Sequence, residues 1–276
     1  MNRVAILKHT GKLREIIGEG LELIGGIGPL SSPILIKPNI CTISDGTGHS
    51  VSDIRLIDAI IHILFEERPD SSIRVIESDS QSKYADEAFE KFGYTDLVDR
   101  YNEDEKDLKL VNLSKSRMIE TDFDGRYFKK AKLPEELIKP HYFITVPVAK
   151  THYLTWITGA LKNQFGLLPE KRQASFHSKI TDIVIDFNRI VQPQLCIIDA
   201  RVGVEGWNGP KTHEIGAFIV GRKPVSVDSV MAQMMSLDPT QIEHLVQASK
   251  YDLGTLEPEI IGDELDSVKV EFSLPR

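Results

Sequence analysis

The stretch "PILIKPNICTISDGTGHSVSDIRLIDAIIHILFEE", residues 33–67, reads as strand, loop and helix in that order, and this order decides the fold. The run from Ile34 is apolar up to Lys37 and closes at Pro38, whose missing N–H suits the end of a buried strand. Residues 38–51 are rich in Gly, Ser, Thr and Asp and form a loop at the strand's carboxyl end. Ser52 can cap the helix that follows, in which Ile54, Ile57, Ile61 and Leu64 recur at helical spacing.

The same alternation continues along the chain. "SIRVIESD" is a strand and "QSKYADEAFEKFG" a helix closed by Gly93. "DLKLVNL" is a strand, and "RMIETDFDGRYFKKAKL" two strands turning at Asp124 and Gly125. "HYFITVPVAK" is a buried strand with Pro147 near its end, and "TWITGALKNQFG" has a helical pattern. "SKITDIVIDFNRIV" is an amphipathic helix with Ile180, Val184, Phe187 and Val191 on one face. "QLCIIDARVG", "EIGAFIVG" and a closing "SVKVEFSL" are strands, with helices over "KPVSVDSVMAQMMS" and "DPTQIEHLVQASK" between the last two. Strands alternating with helices predict an α/β fold with a mostly parallel sheet and helices on both faces. One domain over 1–276 is expected, with two lobes, about 1–145 and 146–276, as the alternative.

Composition excludes several classes. The chain has 276 residues, 41% hydrophobic and 27% charged, a soluble globular balance with enough length for a large core. No apolar run approaches the roughly 18 residues needed to span a bilayer, and the opening "MNRVAILKHTGKLREI" lacks a signal-peptide core. A cytoplasmic location away from membranes is expected. The net charge of −8 argues against a nucleic-acid partner, which needs an extended basic face. Cys41 and Cys196 stand alone, so this chain by itself builds neither a disulfide framework nor a cysteine-bound iron–sulfur cluster. A symmetric homodimer is the default assembly.

Against this acidic background, residues 149–177, "AKTHYLTWITGALKNQFGLLPEKRQASFH", hold four Lys or Arg and two His but one acid, Glu170. Ligands of open parallel sheets gather at the carboxyl ends of strands. The polar residues at such ends are Lys37 and Asn39; Glu77 and Asp79; Lys150 and His152; Asp199, Arg201 and Glu205. Lys162 and Asn163 follow small residues, Gly159 and Ala160, that permit close backbone approach, and Lys171 and His177 arrive from the next loop. Lysine suits a carboxylate or phosphate, and histidine moves protons or ligates metals. No G-x-S-x-G, H-E-x-x-H, Walker A or G-x-G-x-x-G motif is present.

"ILIKPN", "PVAKTH", "ITGALKNQFGLLPEK", "DARVGVEGWNGP" and "PVSVDSVMA" followed by "YDLG" resemble the family called domain of unknown function 362, over roughly residues 30–254. Many members carry an added ferredoxin-like module; this chain has none of the cysteines for it, so the resemblance implies a separate ferredoxin-like partner for any redox role. The spacing of His152, Lys162, Pro169 and His177 is also similar to that of nickel-dependent lactate racemases. That resemblance implies His152 as a proton shuttle, Lys162 as the residue holding a pincer cofactor and His177 as a nickel ligand. The Asp-x-Thr-Arg-Pro of those racemases is absent here.

The expected activity is therefore an enzyme acting on a small anionic molecule by acid–base or metal-assisted chemistry, racemase-like or isomerase-like. Lys37, Lys150 and Lys162 bind and polarise the anion, with Asn39, Thr151, Asn163 and Lys171 beside them. His152 transfers a proton, and His177, with Asp199 or Glu205, orients it or holds a divalent metal such as nickel. A redox component and a non-catalytic anion-binding domain are the alternatives.

Overall fold

The computed structural model describes residues 2–139, 141–169 and 172–273. In chain order the strands and helices are β1 (Arg3–Lys8), α1 (Leu13–Leu23), β2 (Ile34–Pro38), α2 (Ile54–Glu67), β3 (Ser72–Glu77), α3 (Ala85–Lys91), α4 (Tyr94–Glu103), β4 (Asp107–Asn112), β5 (Met118–Asp122), β6 (Lys130–Pro134) and α5 (Glu135–Ile138). There follow β7 (Tyr142–Val146), β8 (Val148–His152), β9 (Trp156–Thr158), α6 (Ala160–Asn163), α7 (Ile180–Ile190), β10 (Leu195–Val204), β11 (Thr212–Gly221), α8 (Pro224–Met234), α9 (Glu243–Ala248) and β12 (Glu259–Gly262).

One sheet takes strands from both halves of the chain, in the order β12-β1-β11-β10-β7-β2-β3-β4, with β8 paired to β10 and β9 to β8. Along that path β11 alone runs against its neighbours; the other pairings are parallel. Alternate residues of each strand face opposite sides. Val4, Ile6, Leu35 and Ile198 join one apolar core with α6 to α9, while Ala5, Leu7, Ile34, Ile36 and Ile197 join a second core with α1 to α4. Helices thus cover both faces, which is why the parallel strands read as continuous apolar runs. β5 and β6 form a separate hairpin, whose tip is gathered by Asp186 of α7 through the N–H groups of Arg126, Tyr127 and Phe128 at 2.7, 2.8 and 3.0 Å.

Several expectations require correction. "HYFITVPVAK" is two strands broken at Pro147, and β8 then leaves β7 to lie against β10. "TWITGALKNQFG" is not one helix: its first residues pair with β8 as β9, and only Ala160–Asn163 is α-helical before a 3-10 turn. Of the closing "SVKVEFSL", the described residues 267–273 form no strand; the last strand among the described residues is β12, and Val270 and Phe272 instead donate to the carbonyls of Met234 and Met235 at the end of α8. The cap of α2 is Asp53, which accepts from the Arg55 N–H. Ser52 instead ties the end of β2 to that of β7, because its hydroxyl accepts from the Asn39 N–H and donates to Val146 O, both at 2.7 Å.

Candidate functional site

Chain direction across the sheet reverses between β2 and β7: β2, β3 and β4 step outward one way, and β7 and β10 the other. Carboxyl ends that diverge at such a point leave a crevice. A cavity of about 250 Å³ opens there, lined by Lys37 of β2 and Asn39, Ile40 and Cys41 after it, by Glu77 of β3 and residues 80–83 after it, and by Lys150, His152 and Tyr153 of β8 and its turn. Lys162, Asn163, Phe165 and Gly166 form its floor with Gln173, Ala174 and His177, and Trp207 reaches in from the loop after β10.

Among the described residues, four lysines, Lys37, Lys83, Lys150 and Lys162, line this cavity with one carboxylate, Glu77. Lys37 and Lys83 share that carboxylate. Lys37 Nζ lies 2.8 Å from Glu77 Oε2 and donates to Pro38 O at 3.2 Å, while Lys83 Nζ lies 3.5 Å from Glu77 Oε1 and also donates to Ser78 O. Burial pushes the Lys37 pKa down, against the pull of Glu77. The expected anion-binding role of Lys37 is therefore met first by a protein carboxylate. Sequence reasoning misses Lys83, because a lysine in a polar loop carries no signal of its destination.

Lys150 is buried, yet no described carboxylate lies within ion-pair distance of it. Its ammonium donates to Asn39 Oδ1 at 2.6 Å, Ser50 O at 2.8 Å and Cys41 Sγ at 3.4 Å, which accounts for its three protons. Asn39 Nδ2 passes the chain on to Asn163 Oδ1 at 3.3 Å, and Asn163 Nδ2 donates to Thr145 Oγ1 at 2.9 Å. Both asparagines thus fix Lys150 and α6 relative to one another.

The short helix α6 is held at its start from the far side of the core. Asp228 of α8 is wholly buried, and its carboxylate accepts from the Ala160 N–H at 2.6 Å and the Leu161 N–H at 2.9 Å. A Cβ on Gly159 would run into that carboxylate, so the expected close approach at this glycine is real. Lys162 then turns its ammonium over the Phe165 ring, 4.6 Å from the centroid, with no carboxylate partner among the described residues. Burial, with Lys150 and Lys37 nearby, pushes its pKa down to about 8.

Three histidines surround Lys162. His152 is buried; its Nδ1 accepts from the Leu154 N–H at 3.1 Å and its ring stacks on Tyr153, 4.9 Å between centroids. Burial, then the charges of Lys162 and Lys150, lower its pKa to about 2, so the ring stays neutral. His177 stands 6.1 Å from the Phe165 ring centroid and is also shifted down, by burial and by Lys162. His244 of α9 lies outside the cavity lining, buried, with Nε2 unpaired among the described residues and its pKa lowered to about 3 by burial and Lys162.

Thr151, Asp199 and Glu205 are not among the residues that line this cavity. Thr151 accepts the Gly206 N–H at 2.7 Å and so anchors the loop bearing Trp207. Asp199 is bound by Arg201 in a separate cleft with Asp53. Burial raises the pKa of Glu205, but Lys211, the Ser273 N–H and His213 outweigh it and hold the group at about 2. Lys171 lies outside the described residues. The expected pairing of His177 with Asp199 or Glu205 around a metal is thereby overturned: Arg201 holds Asp199 in the other cleft, Lys211 and His213 hold Glu205, and neither acid lines the cavity. Among the described residues no three His, Cys, Asp or Glu side chains converge into a metal-holding group. A divalent ion held by protein side chains alone does not fit this donor set.

Among the described residues no helix is long and apolar enough to cross a membrane. The chain is 24% identical over 266 residues to the thylakoid-associated protein sll1697 of Synechocystis sp., covering 91% of this chain and 79% of that protein. The lactate racemase apoprotein from Thermoanaerobacterium thermosaccharolyticum superposes with a TM-score of 0.46 at 12% identity. That alignment takes in 80% of this chain and 54% of the racemase chain, little more than half its length. The family model described as domain of unknown function (DUF362) matches residues 34–233. A match over well over half of the sequence identifies this chain as a member of that family.

Proposed function

We propose that this chain is an enzyme that binds a small anionic molecule, a carboxylate or phosphate, beside Lys162 and acts on it by acid–base chemistry. The observation that carries this reading is the charge imbalance of the cavity: four lysines and one carboxylate among the described residues, in a protein of net charge −8. Taking an ammonium out of water is costly unless a counter-charge is supplied, and for buried Lys150 and half-buried Lys162 the described residues supply no carboxylate. An anionic ligand supplies it.

The bonding divides the labour. Lys150 has its three protons engaged and contributes field, whereas Lys162, set over the Phe165 ring, has donors to give a ligand. Ammoniums placed at a developing oxyanion favour removal of a proton next to a carboxylate or carbonyl, the reaction class to which racemisation belongs. Two groups at the cavity can take that proton near neutral pH: His177, and the neutral fraction of Lys162.

Thermal unfolding with oxalate or inorganic phosphate tests the binding step, and NMR of C2 to C4 carboxylates in deuterated water tests the chemistry. Wild type should be stabilised by the anions and K162M should not, and deuterium should enter next to a carboxylate only with wild type. Binding without exchange in any carboxylate leaves the non-catalytic alternative standing. No stabilisation by either anion overturns the proposal.

A further inference from the structure

Resting on that anion reading, we infer that His152 serves the pocket as a fixed hydrogen-bond donor through Nε2–H and is not its proton carrier. A neutral imidazole has one protonated nitrogen, and the partner of the other nitrogen fixes which. Here the Leu154 N–H points its proton at Nδ1 at 3.1 Å, so Nδ1 must present its lone pair and the ring proton must sit on Nε2.

The turn that makes this bond is tightly determined. β8 and β9 pair His152 with Trp156, so Tyr153, Leu154 and Thr155 close the connection. Thr155 Oγ1 donates to Ile157 O at 2.9 Å, and Trp156 is held at φ +63°, a region that a bulky residue enters only under constraint. Tyr153 covers one face of the imidazole, its ring only 13° from parallel. Rotating His152 to free Nδ1 would break the bond to Leu154 and the stack together.

A proton carrier must gain and lose a proton. To gain one at Nδ1, His152 would have to displace the Leu154 N–H; to gain one at Nε2, that atom would first have to be bare. The imidazolium so formed would be buried and would face Lys162 and Lys150, with His177 and His244 adding no negative charge. A neutral Nε2–H has no such obstacle: it donates to an anion's oxygen alongside the Lys162 ammonium. The resemblance to racemases implies a shuttle at this position, and the geometry points the other way. Proton transfer then falls to Lys162 or His177.

Nitrogen-15 NMR of the imidazole ring in the wild-type protein, compared with H152A to assign the signal, reads the tautomer directly. One protonated nitrogen, Nε2, unchanged from about pH 5 to 8, is expected; a ring that titrates in that range, or carries its proton on Nδ1, overturns the inference. Oxalate binding by variants gives a second readout. H152Q keeps an amide donor near the Nε2 position but cannot carry a proton, so it should bind within about threefold of wild type, whereas H152A should lose about tenfold or more, the worth of one hydrogen bond to a charged group. Equal losses in both variants overturn the donor role. Failure of the wild type itself to bind oxalate or phosphate would overturn the anion reading instead, with the tautomer result intact.

Discussion

Lys37 Nζ lies 2.8 Å from Glu77 Oε2, and the two side chains are only 1% and 2% exposed. Removing one half of such a pair strands a charge in the interior, at a cost of about 3–5 kcal/mol. Here Glu77 serves Lys83 as well. E77Q should therefore lower the urea midpoint strongly, while K37M combined with E77Q should recover part of the loss. A single variant within about 1 kcal/mol of wild type would show that the cluster contributes little to stability.

The Asp228 carboxyl has its pKa raised to about 7 by burial, although the N–H groups of Leu161 and Ala160 pull it down. A folded-state value above the unfolded one means that the folded protein binds the proton more tightly, so this group's contribution to stability falls as pH rises from about 4 to 7. D228N lacks that titration. Wild type should lose stability relative to D228N across the window, measured by thermal unfolding at several pH values. A relative gain would mean that the ionised carboxylate is the form that grips α6.

Lys162 titrates the other way. With a folded-state pKa of about 8, its ammonium is lost above that pH, and oxalate, whose own charge is constant there, should bind about tenfold more weakly per pH unit. Without ligand, the same depressed value should make the protein gain stability as pH rises from about 8 towards the ordinary lysine range. Calorimetric titration from pH 6 to 10 checks the first, and K162M, which should abolish both trends, checks the assignment.

G159A adds a methyl group where the Asp228 carboxylate already sits. Overpacking of this kind costs typically about 1–3 kcal/mol, and here it would also push apart the cap and α6. A lowered melting temperature together with weaker oxalate binding is expected. G166A meets the flexible end of Lys37 at 2.9 Å and should be the milder change.

Strands such as β2, β7 and β10 are legible in the sequence because strands buried on both faces are unbroken apolar runs ended by turn residues. Residues that the stretch 149–177 flags, Lys150, His152, Lys162, Asn163 and His177, do meet at one cavity. What stays hidden depends on distant partners. β9 exists because β8 pairs with it and because Asp228, 68 residues away in sequence, starts α6 immediately afterwards; its local pattern favours helix. β1 is placed by β11 and β12 on its flanks, partners more than 200 residues away in sequence. Asp199 and Glu205 mislead because the cations that engage them, Arg201 for the one and Lys211 with His213 for the other, draw them away from the cavity, and sequence position does not show such partners.

The bond from Asn39 to Asn163 joins side chains 124 residues apart, and the cavity walls extend from residue 37 to Trp207. No contiguous piece of the chain shorter than that can assemble the pocket. Occupancy is consequently a report on the whole molecule's folding: a ligand captured there holds both cores in register at once. It should slow hydrogen exchange in β3 and α7 alike, and during biosynthesis it can act only after the strand β10 has entered the sheet.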